Sequence, residues 1–68
     1  MNASKIVELA ARPGVKRVVV ENFLASLGDL TYQEAVANCE LDARSYRWNY
    51  ATSGAIREGL LDHFFGAS

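Results

Sequence analysis

Apolar residues return along this chain at three- and four-residue intervals, in stretches separated by short polar or glycine-bearing breaks. That period places side chains on one face of a helix. Ile6, Val7, Leu9 and Ala10 form the first stripe. Ser4 precedes it, and a serine hydroxyl there is suited to cap the first turn. Pro13 ends the stripe, because a proline disfavours helical geometry at the residue before it. Arg12-Pro13-Gly14-Val15 has proline second and glycine third, the preference of a type II turn. Val15, Val19, Phe23 and Leu27 then repeat every fourth position, with Val20 and Leu24 widening the face. The triplet Val18-Val19-Val20 favours a strand locally, which leaves a short strand as the alternative there. The period nevertheless continues to Leu27, where Gly28 is a natural stop, and it predicts a helix.

Thr31-Tyr32-Gln33-Glu34 has the spacing of a capping box and predicts a third helix carrying Ala35, Val36 and Cys39 toward Leu41. Asp42 is a candidate cap for a short fourth helix, Ala43 to Trp48. The small and polar run Asn49 to Gly54 then predicts a break, with Thr52 or Ser53 capping a last helix. Ile56, Leu60, Leu61, Phe64 and Phe65 give that helix a broad apolar side, and Gly66 marks its end. The expected fold is all-α: a compact bundle of four to five short helices in a single domain over residues 1–68. A shift of 26 residues aligns the first turn region only poorly with Val36 to Asn49, so two helix pairs of similar length are expected rather than a duplication.

Half of the 68 residues are hydrophobic, too many for a disordered tail and more than so short a chain can cover. A homo-oligomer, or a subunit docked on a partner, follows as the expectation. The single cysteine, Cys39, rules out an internal disulfide framework and fits a reducing compartment. No apolar run resembles a signal peptide or a membrane span, so the expected location is cytoplasmic. The formal net charge of −1 speaks against a strong nucleic-acid binder. The charges fall in blocks, however. Lys5, Arg12, Lys16 and Arg17 face Glu8 alone in the first 17 residues, whereas residues 21–42 hold five acids and no cation.

Ala10, then Gly14, Val15, Val20 and Phe23, follow the spacing of a helix-turn-helix: a small residue at a close crossing, a glycine in the turn, and apolar residues burying the second helix. Over Ile6 to Leu27 the chain resembles the helix-turn-helix DNA-binding superfamily at motif level. That resemblance implies a second helix whose start enters the major groove of double-stranded DNA. Lys16 would then rest on phosphate, with Arg17 and Asn22 on base edges. Pro13 lengthens the turn, and Glu21 and Val18 put a negative and an apolar residue on the groove face, which are departures from the pattern.

Arg44-Ser45-Tyr46-Arg47-Trp48-Asn49-Tyr50 interleaves cations with aromatics. Such a cluster suits nucleic acid, with Arg44 and Arg47 on phosphate, and equally a protein hot spot anchored by Trp48 and Tyr50. Trp48 as a core residue is the structural alternative. Phe64 and Phe65 are adjacent, and neighbours on a helix diverge by about 100°. One of the two is therefore a candidate dimer or partner contact. No metal or cofactor site is expected, since one His and one Cys make no standard zinc site. No enzyme is expected either: Cys39 and His63 would need the fold to bring them together. Two functions remain. One is a small DNA-binding or transcription-regulating protein, acting as a homodimer. The other is a non-enzymatic adaptor or inhibitor that docks an apolar helix face and an Arg/Trp/Tyr anchor onto a larger protein.

Overall fold

The computed structural model describes residues 3–66 as four helices: α1 (Ala3–Ala10), α2 (Arg17–Ala25), α3 (Tyr32–Ser45) and α4 (Tyr50–Phe65). There is no strand among the described residues, so the chain is all-α as its periodicity predicts. Val18 to Val20 are helical; the period of the surrounding apolar face prevails over the local preference of three valines.

The helix ends follow from local chemistry in some places and depart from expectation in others. The capping box forms: Thr31 Oγ1 accepts from the Glu34 amide at 3.2 Å, and Glu34 Oε1 accepts from the Thr31 amide at 2.9 Å. The turn after α1 forms too, with the Val15 amide donating to the Arg12 carbonyl at 3.2 Å and Gly14 at φ 78°. That angle is costly for a residue with a Cβ, which is why the turn takes glycine. Ser4 lies inside the first turn of α1 rather than before it. The second helix starts at Arg17, two residues later than Val15, and it ends at Ala25, before Gly28.

The larger correction lies further on. The short helix expected from Ala43 to Trp48 does not exist separately, because α3 runs through Asp42 without a break. Asp42 is no cap; its carbonyl accepts the Tyr46 amide at 2.8 Å as the helix closes. The chain reverses at Arg47, in the left-handed region at φ 52°, and the Trp48 amide reaches back to the Ala43 carbonyl. This is a Schellman ending with arginine where glycine is usual. Asn49 to Gly54 is not a break either. Asn49 caps α4 by accepting from the Thr52 amide at 2.9 Å, and the small residues after it form the first turns. The helix pairs consequently differ in length, 8 and 9 residues against 14 and 16.

Helix α4 is the centre of the bundle and packs against each of the other three, while α2 and α3 do not touch each other closely. The core comprises Leu9 and Ala10 of α1, Val20, Phe23 and Leu24 of α2, Leu27, Ala35 and Cys39 around α3, and Ala55, Ile56 and Leu60 of α4. Gly59 lets α2 approach α4: a Cβ there would stand 2.6 Å from Leu24 Cδ1 and 3.2 Å from Leu9 Cδ1. Gly54, five residues earlier, has nothing within 4 Å of the same position. No helix among the described residues is long and apolar enough to cross a membrane.

The two glycines make opposite predictions in urea denaturation. Gly54→Ala gains about 0.5–1 kcal/mol from helix propensity alone. Gly59→Ala gains the same but incurs overpacking of about 1–3 kcal/mol against buried Leu24, for a net loss of about 1 kcal/mol.

Candidate nucleic-acid interface at the basic end of the bundle

The α1–α2 turn and the α3–α4 turn lie far apart in sequence and are joined in space. Asn49 Nδ2 donates to the Gly14 carbonyl at 2.6 Å. Thr52, fully buried in the first turn of α4, accepts the Lys16 amide on Oγ1 at 2.8 Å. Lys16 is the N-cap residue of α2 and has no side-chain cap of its own, so the hydroxyl of another helix serves its backbone. The Thr52 hydroxyl and the Lys16 amide thus satisfy each other, as buried polar groups require.

Helices α3 and α4 run antiparallel, and the start of α3 meets the end of α4 where the Tyr32 ring packs on Phe64 and Phe65. This sorts the charges. Asp29, Glu34 and Asp62 belong to the end where α3 begins and α4 finishes. Lys16, Arg17, Arg44 and Arg47 belong to the opposite end, where the two turns are joined. Lys16, Arg44 and Arg47 are exposed and form no ion pair among the described residues. Asp42, one turn back from Tyr46, is the acid nearest to them along α3. A sum of −1 conceals this polarity.

The predicted DNA contacts therefore divide. Lys16, Arg44 and Arg47 share one end and are available. Arg17 is 70% exposed at its side chain, but its Nε donates to Glu21 Oε2 at 3.1 Å along α2. Asn22 is exposed and lines a different recess, of about 350 Å³, with Val19, Phe23, Ser26, Asp42, Tyr46 and Trp48.

The predicted partner contacts divide as well. Trp48 is half-buried, edge-on to Phe23 with ring centres 5.4 Å apart, and its Nε1 is buried without a hydrogen-bond partner. Tyr50 is 96% exposed. Phe64 packs against the core while Phe65 is 65% exposed, which settles which of the neighbours faces outward.

Three features had little or no signal in the sequence. Ser53, Gly54 and Arg57 line a recess of about 460 Å³ with Trp48 and Tyr50, on the outer face of α4. Only the helical spacing of residues 50, 53, 54 and 57 hints at it. Glu58 also gathers the cations of the first segment: Arg12 donates to it through both terminal nitrogens, at 2.6 and 3.0 Å, and Lys5 stands at 3.6 Å. Finally, His63 is partly buried edge-on to Phe64 at 4.7 Å, with Nδ1 buried and unpartnered among the described residues.

Burial pushes the Cys39 thiol above its ordinary range, so it stays protonated at neutral pH, opposite to what activates a cysteine. No group of three or more His, Cys, Asp or Glu among the described residues is placed to hold a metal ion. Compared with known proteins, the chain matches no family model, no curated protein and no solved structure.

Two measurements probe this architecture. Thr52→Val removes the hydroxyl that the Lys16 amide needs, for a loss of about 1–3 kcal/mol in urea denaturation, while Thr52→Ser retains most of the stability. The Glu58 carboxyl is held below its ordinary value of 4.5, chiefly by the Arg12 hydrogen bonds and then by the charges of Arg12 and Lys5. A lowered folded pKa gives stability that is present above the unfolded pKa and is lost as pH falls through the folded one. Thermal melts should thus show Glu58→Gln below wild type at neutral pH, with the gap closing under acid conditions.

Proposed function

We propose that this protein binds double-stranded DNA through the end of the bundle where its two turns meet, as a small DNA-binding or transcription-regulating protein. The observation that carries the reading is the placement of charge: Lys16, Arg44 and Arg47 belong to that end and form no ion pair among the described residues, while Asp29, Glu34 and Asp62 lie at the other end. Phosphate neutralisation needs a local basic surface rather than a basic total.

Two details add support. Lys16 sits at the N-terminus of α2, where the helix dipole disfavours cations, so helix stability is no reason for it. Arg47 occupies a left-handed position that glycine would fill with less strain. Strain of this kind gathers where a side chain is needed for function. A homodimer, with Leu61 and Phe65 of α4 at its seam, would double the basic surface and suit two half-sites.

A second reading is favoured by the same α4 ridge. Leu61 and Phe65 are one turn apart and more than half exposed. In a protein-binding module that ridge, with Trp48 and Tyr50, would dock onto a larger partner instead.

Fluorescence anisotropy with a mixed duplex separates the two. Three phosphates neutralised per chain would weaken binding roughly 50-fold between about 50 and 200 mM salt. Arg47→Gly should weaken it further while raising stability by about 0.5–1 kcal/mol, because the backbone strain is relieved. Absence of binding at low salt would end the DNA reading and leave the protein-binding module.

A further inference from the structure

The resemblance in the sequence points to α2 as the helix that enters the groove, but the geometry points to α4. We infer that Tyr50, Ser53 and Arg57 on the outer face of α4 are the side chains that read base edges; this rests on the DNA-binding reading above.

Residues 50, 53, 54 and 57 share one helix face by their spacing. Tyr50 stands almost free in solvent, and Arg57 is exposed with no ion pair among the described residues, at the edge where this face meets the α3–α4 groove beside Cys39 and Glu40. Between them Gly54 has no side chain, and the space where a Cβ would project is open. The result is a helix surface with a flat centre, lined by a hydroxyl, a guanidinium and a phenol around a recess of about 460 Å³. A major groove admits a helix of this kind. There an arginine pairs with guanine O6 and N7, and a serine hydroxyl can donate or accept. Trp48 forms the wall of the recess and is fixed from behind by Phe23.

The surroundings agree. Helices α3 and α4 are joined by only four residues, 46–49, whereas α1 and α2 are joined by six, 11–16, and the shorter turn brings Arg47 and Trp48 directly to the start of the α4 face. Arg47 lies in the short turn that leads into α4, and Lys16 is held at the same end of the bundle through its amide on Thr52, so that two cations are offered to phosphates there. The corresponding face of α2 is less suited. Its arginine is tied to Glu21, and Val18 is 65% exposed beside it. In this arrangement α2 supports the reading helix, and the α1–α2 turn contributes Lys16 as a backbone contact.

The test is a selection of preferred duplexes from a random library by the full chain. Anisotropy then follows on the preferred duplex and on a scrambled duplex of equal length. Arg57→Ala should lower the preferred-to-scrambled affinity ratio roughly tenfold or more, and Ser53→Ala should lower it less. Gly54→Gln, whose side chain projects into open space and so leaves the fold intact by circular dichroism, should weaken binding to the preferred duplex. Lys16→Ala should weaken both duplexes alike and reduce the salt slope by about 1. An unchanged ratio in Arg57→Ala and Ser53→Ala, or a ratio that falls in Asn22→Ala instead, would overturn the assignment to α4 and leave DNA binding standing. Salt-sensitive binding with no preferred duplex overturns it in the same way. Absence of any salt-sensitive binding removes the DNA reading and this inference together.

Discussion

Two side chains, Asn49 and Thr52, hold the architecture together. Asn49 caps α4 with its carbonyl oxygen and, with its amide nitrogen, holds the Gly14 carbonyl. Thr52 uses its amide in that cap and its hydroxyl to receive the Lys16 amide. Start of helix, reversal of chain and union of the two turns thus share one small polar network. Its members are far apart in sequence, Lys16 and Thr52 being 36 positions apart. Because Thr52 is fully buried, its hydroxyl cannot exchange the Lys16 amide for water without disturbing the first turn of α4, whereas the Asn49–Gly14 bond is exposed.

With that junction in place the rest of the bundle follows from shape. Helix α4 must lie close to α2, and Gly59 permits it by leaving room for Leu24. Helix α3 meets α4 along Ala35 and Cys39 on one side and Ile56 and Leu60 on the other. No equivalent contact joins α2 to α3, and the space between the two is the recess bordered by Asn22, Asp42 and Tyr46. Electrostatics then divides the molecule. Lys5 and Arg12 are absorbed by Glu58 and Arg17 by Glu21; of the other cations, Lys16, Arg44 and Arg47 belong to the junction end and Arg57 lies further along α4. The proposed DNA surface is accordingly a product of pairing as much as of sequence: what remains unpaired is what a phosphate can meet.

The sequence was legible where a signal is local. A capping box at Thr31 and Glu34 and a proline and glycine in the first turn form as expected, and the three-to-four period from Val15 to Leu27 gives a helix, shortened to Arg17–Ala25. Local rules misled where residues had two plausible roles. Asp42 is a good cap residue but stays in mid-helix, because Arg47 rather than an upstream break ends α3. Thr52 resembles a cap and is a core residue, because its hydroxyl is engaged by another helix.

By itself the chain's pattern determined an all-helical class, the buried stripes and most turns, since periodicity, proline and capping act within a few residues. Only the tertiary structure decided which cations are spent in ion pairs and which meet, which phenylalanine faces out, and that residues 50, 53, 54 and 57 share an open face. Those outcomes depend on residues tens of positions apart and on the path of the chain between them. A tally of charges or a spacing motif carries no information about either.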